Sequence, residues 1–195
     1  GKKVAVIEKL AQMYGGTCIN VGCIPTKKLV NLSKEAQYVN NNVAGEYFTL
    51  SVEKKDKLIS ALRAKNFAML DDNANIDVIN GAAKFIDKNS VEVAAVDGSK
   101  SVFTAPTIVI NTGSVNEKPS FEVSSNSAYD STGILNLKTL PKHLVVVGGG
   151  YIGLEFASMF AEFGSKVTIV ARSGVLKNED EDVKAVSYTH LTLPT

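Results

Sequence analysis

Residues 143–172, HLVVVGGGYIGLEFASMFAEFGSKVTIVAR, leave little choice of fold. The β-branched run HLVVV (143–147) reads as a buried strand and ends in three glycines. GGGYIG then opens an apolar-periodic segment, with Ile152, Phe156, Met159, Phe160 and Phe163 predicted on one side of a helix. Gly164 stops that helix, and KVTIV (166–170) is the next strand. Strand, glycine turn, helix and strand in this order make a βαβ unit and imply a parallel sheet. The glycines of the G-x-G-x-x-G pattern are Gly148, Gly150 and Gly153. The first permits the tight turn, the second lets backbone approach a pyrophosphate, and the third lets helix and strand pack closely. Phosphates then meet free N–H groups at the positive helix end. Gly148, Gly150, Tyr151, Ile152 and Gly153 are the expected dinucleotide contacts. A glycine turn without a ligand is the plainer alternative.

An acid at the end of the next strand would hold the ribose 2′-hydroxyl of NAD. Here the chain reads Val170-Ala171-Arg172-Ser173, with no acid and a cation adjacent. A guanidinium fork suits a 2′-phosphate, so Arg172 favours NADPH, with NADH possible. A solvated surface arginine is the alternative.

The N-terminal run KVAVIE (3–8) echoes KVTIVA and carries the acid, Glu8, at its strand end. It reads as a buried parallel strand, and as the second strand of a βαβ unit whose first strand, glycine loop and helix would take about thirty residues before Gly1. Glu8 as a surface charge is the other possibility. A helical stretch is expected from about Cys18 to Val39, then a connection over 41–47. A helix over 51–70 is expected to set Leu58, Leu62 and Met69 against a face of lysines. Short strands are expected at 76–79, 82–86, 91–94, 101–104 and 107–110, with a hairpin turn over 95–99.

Composition excludes several classes. Apolar residues make up 45%, charged residues 21%, and the formal net charge is +1. No basic excess points to nucleic acid, and no apolar run approaches the ~20 residues of a membrane helix. No secretory signal is visible, and two cysteines in 195 residues do not make a disulfide scaffold.

Those two cysteines lie five apart in GGTCINVGCIPTK (15–27). A C-x4-C pair near a helix start can bond only with local distortion, and a thiolate at a helix N-terminus is stabilised. Lys27 adds positive charge. Structural zinc needs four ligands and the chain has only two histidines, so no resident metal is expected. A pair of inert buried cysteines is the alternative.

GGTCINVGCIPTK resembles the redox-disulfide signature of the class I pyridine nucleotide–disulfide oxidoreductases: dihydrolipoamide dehydrogenase, glutathione reductase, mercuric reductase and relatives. The likeness extends over about 1–186, through VIE, INTGS (110–114) and GGGYIGLEFASMF (148–160). MYGGTCIN, NIDVINGAAKFI and YDSTGILNLKTLP are most similar to the branch linked to reactive-chlorine resistance. ARS (171–173) is similar to the NADPH-dependent mercuric reductases.

The resemblance implies an α/β fold of two Rossmann-like doubly wound nucleotide-binding domains, FAD then NAD(P), both incomplete in this chain. Residues 1–139 would be the FAD-binding domain without its first strand, glycine loop and helix, and 140–186 the start of the NAD(P)-binding domain. SYTHLTLPT (187–195) resembles nothing in the family and is expected to be a non-native tail. Electrons would pass from NAD(P)H to FAD, to a Cys18–Cys23 disulfide, and on to a disulfide, metal-ion or other small-molecule substrate. Cys23 would face the flavin and Cys18 would exchange with substrate. Lys27 resembles the lysine beside the flavin N5 edge. Glu8 would hold the FAD adenosine ribose, Gly16 and Thr17 the pyrophosphate or ribityl region, and Ala83, Thr112 and Gly113 would touch FAD through backbone. The family pattern further implies a cytoplasmic homodimer without nucleic-acid or membrane partners. The family's acid–base histidine has no counterpart here, and this segment alone is expected to be inactive. A non-catalytic nucleotide-binding thiol sensor is the rival of another class; within the enzymes the alternatives are dihydrolipoamide dehydrogenase and mercuric reductase.

Overall fold

A computed structural model describes residues 1–40, 43–119 and 121–190. In chain order the elements are β1 (Val4–Glu8), α1 (Gly16–Asn20), α2 (Cys23–Ala36), α3 (Ala44–Asp71), β2 (Ile76–Asn80), β3 (Ala82–Asp87), β4 (Ser90–Ala94), β5 (Lys100–Thr104), β6 (His143–Val147), α4 (Tyr151–Glu162), β7 (Lys166–Val170) and α5 (Glu181–His190). They form an α/β chain of two compact units, residues 1–23 with 58–117, and 24–57 with 118–195.

In the second unit β6 and β7 pair in parallel, Val145 opposite Thr168. Alternation sends Leu144, Val146, Val167 and Ile169 to one face, where α4 covers them. Phe156, Ala157, Met159, Phe160 and Phe163 of the α4 segment are buried there with Leu29 and Leu32 of α2 and Phe48 and Val52 of α3. Phe48 meets Phe163 edge to face at 5.1 Å and Phe160 at 5.6 Å. Full burial contributes roughly 1.5–3 kcal/mol per ring, so these rings dominate the unit's core. α4 ends as its sequence indicated. Gly164 takes φ +106°, its amide donates to Ala161 O, and Ser165 N donates to Phe160 O.

The first unit joins a parallel pair, β1 with β2, to an antiparallel sheet β3-β4-β5. Gly81 makes the transition. A Cβ there would lie 2.6 Å from Val93 Cγ1 and 2.7 Å from Ala94 O, so only glycine lets the two segments approach. Tyr14 is buried beside Phe67, and its hydroxyl donates to Asn80 Oδ1 at 2.7 Å.

Several sequence expectations need correction. The helix over Cys18–Val39 is two helices, because the chain turns back at Val21–Gly22, where a glycine Cβ would stand 3.0 Å from Thr17 O. The helix expected over 51–70 begins at Ala44, since Phe48 and Val52 already bury one face; 44–47 are therefore not a connection, and 41–42 lie outside the described residues. Its apolar face is also different: Met69 is 66% exposed, while Lys55 is 3% exposed among the supposed solvent-facing lysines. Residues 107–110 form no strand, and Val109 and Ile110 are exposed, because no described strand lies beside them to complete a ladder. β1 and β6 are not buried strands but covered on one face at most: Val4, Val145 and Val147 are exposed. Ile152 leaves the apolar side of α4 and is exposed at its first turn. The expectation of a tail over 187–195 is not among these corrections: 187–190 lie in α5, which does not decide their origin, and 191–195 lie outside the described residues.

The Lys55 ammonium is held by Asp56 at 2.6 Å and by Leu135 O at 2.7 Å. Lys138 reaches the other Asp56 oxygen at 2.7 Å. Burial pushes the Asp56 carboxyl up, but hydrogen bonds from Lys138 and Lys55, with their charges, outweigh it and hold it below the ordinary carboxylate value. A folded-state value below the unfolded one gives stability that is present above the unfolded pKa and lost as pH falls through the folded value. The protein with Asp56→Asn should therefore be less stable than wild type at neutral pH, with the difference shrinking below about pH 4. Denaturant unfolding across that range checks this; a gap that stays constant into acid would contradict it.

Candidate functional site

The glycine loop after β6 is built by two close approaches and one opening. Gly148 takes φ +115°, which turns the chain sharply off the strand. A Cβ on Gly153 would meet Gly148 O at 2.9 Å and Val146 Cγ1 at 3.1 Å, so α4 rests directly on β6. Gly150, the N-cap of α4, has nothing within 4 Å of its Cβ position. That open space lies before the first-turn amides, where a pyrophosphate would sit, and the residues fit a dinucleotide. Tyr151 and Ile152 stand exposed beside it. A hydrogen bond from the Tyr151 hydroxyl to Glu179 pushes the phenol up.

Sequence reasoning missed Gly149. A Cβ there would lie 2.8 Å from Gly174 O and 2.9 Å from Val175 Cα, and Leu176 N donates to Gly149 O at 2.8 Å. The segment carrying Arg172 is thereby strapped to the glycine loop. Arg172 is exposed, and an open cavity beyond it is lined by Ser173 and Lys177 of this segment and by the ion-paired Glu181 and Lys184 of α5. The available signal was the middle glycine of the GGG run. Glu155 was missed as well: it projects from α4 and forms an ion pair with Lys27 of α2. A lone carboxylate within LEFASMF was the available clue.

The cysteines sit on either side of the α1–α2 break. Cys18 lies within α1, Cys23 is the first residue of α2, and both are exposed. Gly15 and Gly16 take φ +92° and +74°, turning the chain into α1. Gly16 has open space at its Cβ position, and that of Gly113 is 3.7 Å from Thr17 Oγ1. The fold thus brings Gly16, Thr17 and Gly113, with Thr112 adjacent, to one exposed backbone surface beside Cys18. That surface fits a flavin nucleotide approached by main chain. Glu8 ends β1, and its Oε1 accepts from Leu10 N at 2.9 Å. Its carbonyl accepts from Gly81 N at 2.9 Å, which places exposed Ala83 two residues along from that end of the sheet.

A family model described as pyridine nucleotide-disulphide oxidoreductase matches residues 1–192. The chain is 48% identical over 186 residues to the probable pyridine nucleotide-disulfide oxidoreductase RclA of Escherichia coli, covering 94% of this chain and 40% of that protein. It is 38% identical over 193 residues to a mercuric reductase of Lysinibacillus sphaericus, covering 94% and 34%. With a dihydrolipoyl dehydrogenase of Geobacillus stearothermophilus it shares 36% over 196 residues, covering 95% and 41%. The solved Cu(II) complex of the HOCl-induced flavoprotein disulfide reductase RclA from Escherichia coli superposes with a TM-score of 0.88 at 44% identity, covering 97% of this chain and 41% of that one. The chain therefore spans about 40% of the length of the first of these relatives.

The two kinds of loop glycine separate folding from binding. Gly149→Ala should destabilise the protein by about 1–3 kcal/mol, because backbone must move. Gly150→Ala should cost less stability, about 1 kcal/mol or below for an alanine at the N-cap, and weaken pyridine-nucleotide binding at least tenfold, or about 1.4 kcal/mol, by filling the opening. Thermal melts and calorimetric titration read the two effects; equal stability loss in both variants would refute the division.

Proposed function

The chain belongs to the pyridine nucleotide-disulphide oxidoreductase family, and from that premise we propose that it is the thiol-bearing part of an FAD-dependent reductase. Electrons run from NADPH through FAD to Cys18 and Cys23, and then to a disulfide substrate. The observation that carries this reading is the placement of the two exposed cysteines at the α1–α2 break, beside the open backbone of Gly16, Thr17 and Gly113. Residues 1–139 serve FAD, and the β6–α4–β7 unit serves the nicotinamide nucleotide. The whole protein is a cytoplasmic homodimer. Among the described residues no helix is long and apolar enough to cross a membrane.

FAD, when bound, would supply hydride acceptance and two-electron storage. This chain's residues do the rest. Two electrons and two protons open the Cys18–Cys23 disulfide to two thiols. Cys23, at the head of α2, would be the sulfur on the flavin side. Cys18 attacks the substrate disulfide as a thiolate, and its mixed disulfide is resolved by Cys23. Lys27, one turn beyond Cys23 on α2, is held by an ion pair with Glu155. Glu8 holds a ribose through its carboxylate, and Gly16, Thr17, Ala83, Thr112 and Gly113 supply main-chain contacts. Gly148, Gly150 and Gly153 cradle the NADPH pyrophosphate. Arg172 binds the 2′-phosphate, and the polar Ser173 and cationic Lys177 that follow it support that choice.

A soft metal ion is the second reading for the acceptor. It is favoured by the identity to a mercuric reductase and by the Cu(II) complex of the RclA neighbour. Thiolates bind such ions well. A thiol sensor differs in turnover: it cycles once per oxidation, whereas a reductase consumes NADPH continuously.

Anaerobic NADPH titration of the whole protein should produce a long-wavelength absorption band after two electrons, and Cys23→Ser should abolish it. Flavin that bleaches directly in wild type, without such a band, would remove the cysteines from the electron path. Arg172→Ala should raise the KM for NADPH about tenfold while leaving NADH unchanged. An equal effect on both nucleotides would end the 2′-phosphate assignment.

A further inference from the structure

Resting on the disulfide reading above, we infer that Arg63 is a positioning residue for the Cys18–Cys23 couple, acting through Asn20. α1 is a five-residue helix, far below the length at which a helix holds itself together in water. Something outside it must fix Cys18 relative to Cys23. Asn20, its last residue, is 8% exposed and hydrogen-bonded on all sides. Its Nδ2 donates to Tyr14 O at 3.0 Å and to Gly16 O at 2.9 Å. Its Oδ1 accepts from Arg63 Nε of α3 at 2.8 Å. The amide therefore bridges the start of the glycine turn, the first turn of α1 and a long helix 43 residues away. An asparagine amide can rotate by exchanging O and N. The Arg63 donor fixes its sense, because only the carbonyl oxygen can accept from a guanidinium. With Oδ1 turned to Arg63, Nδ2 is aimed at the two carbonyls that shape the turn. Val21 N to Thr17 O and the close fit of Gly22 on Thr17 complete the α1 end of the break.

Holding two thiols at a fixed separation raises their effective concentration toward each other. That favours the disulfide over the dithiol and makes the couple more reducing. Arg63→Met removes the donor and frees the Asn20 amide. The disulfide then loses intramolecular advantage, and the couple becomes more oxidising.

The test equilibrates the FAD-loaded whole protein in anaerobic glutathione buffers. One Cys18–Cys23 disulfide plus two glutathione thiols gives one protein dithiol plus one glutathione disulfide. Thiols trapped by alkylation report the ratio without using catalytic activity. Arg63→Met should reach half reduction at an about tenfold lower ratio of squared glutathione thiol to glutathione disulfide concentration, a shift of about 30 mV. Arg63→Lys, which keeps a donor, should titrate with wild type. Asn20→Asp, which keeps the acceptor for Arg63 but loses both donors to the turn, should shift like Arg63→Met and carries the test if that variant does not fold. A lowered melting temperature with an unmoved potential, or Arg63→Lys shifting as far as Arg63→Met, overturns the inference. A wild-type protein that forms no Cys18–Cys23 disulfide in oxidising buffer overturns the reductase reading itself.

Discussion

The contact of Gly153 with the end of β6 sets the geometry around it. Without a side chain there, the first turn of α4 lies on Gly148 O and Val146. That seating points Phe156, Met159 and Phe160 into the core with Phe48 and leaves the helix N-terminus facing open space at Gly150. One steric fact thus serves both stability and binding. A larger residue would lift the helix, loosen the aromatic cluster and close the space a pyrophosphate needs.

The polar groups inside each unit follow a second rule. Every charge or amide withdrawn from water is given fixed partners. Lys55 is buried with Asp56 and a main-chain carbonyl, and Asn20 has both donors and its acceptor engaged. Among the described residues, no buried side-chain N or O atom lacks a partner. Such groups add little net stability when paired, yet leaving one unpaired costs roughly 1–3 kcal/mol. Their value lies in specifying one arrangement. At Asn20 that arrangement fixes the end of the short helix that carries Cys18.

Much of this was legible. The βαβ unit came from HLVVV, GGGYIG and KVTIV, because a glycine turn between apolar runs has few foldable solutions. The hairpin at 95–99 and the strands beside it followed from turn chemistry. Of the candidate site, the loop glycines after β6 were read from their place between strand and helix, and the residues around the cysteines from the resemblance of GGTCINVGCIPTK to a family motif. The failures were of another kind. Met69 and the lysine face of α3 were misassigned because that helix is shared, its first half packing in one unit and its second half belonging to the other. A single stripe of apolar residues cannot describe such a helix. TIVI had the composition of a strand, but composition does not supply a neighbouring strand.

What the sequence by itself determined is local: which residues turn, which run extended, where the thiols and glycines fall, and which family they belong to. Those features depend on backbone sterics and short-range periodicity, which neighbouring residues decide. Tertiary structure alone decided that Gly149 must accept the backbone at Gly174, that Glu155 meets Lys27, that Lys55 is inside, and that Arg63 fixes Asn20. Each of these joins residues at least 25 apart in sequence, Lys55 with Leu135 included. Such pairings arise when apolar burial packs the chain, and no local pattern encodes which distant partner will arrive.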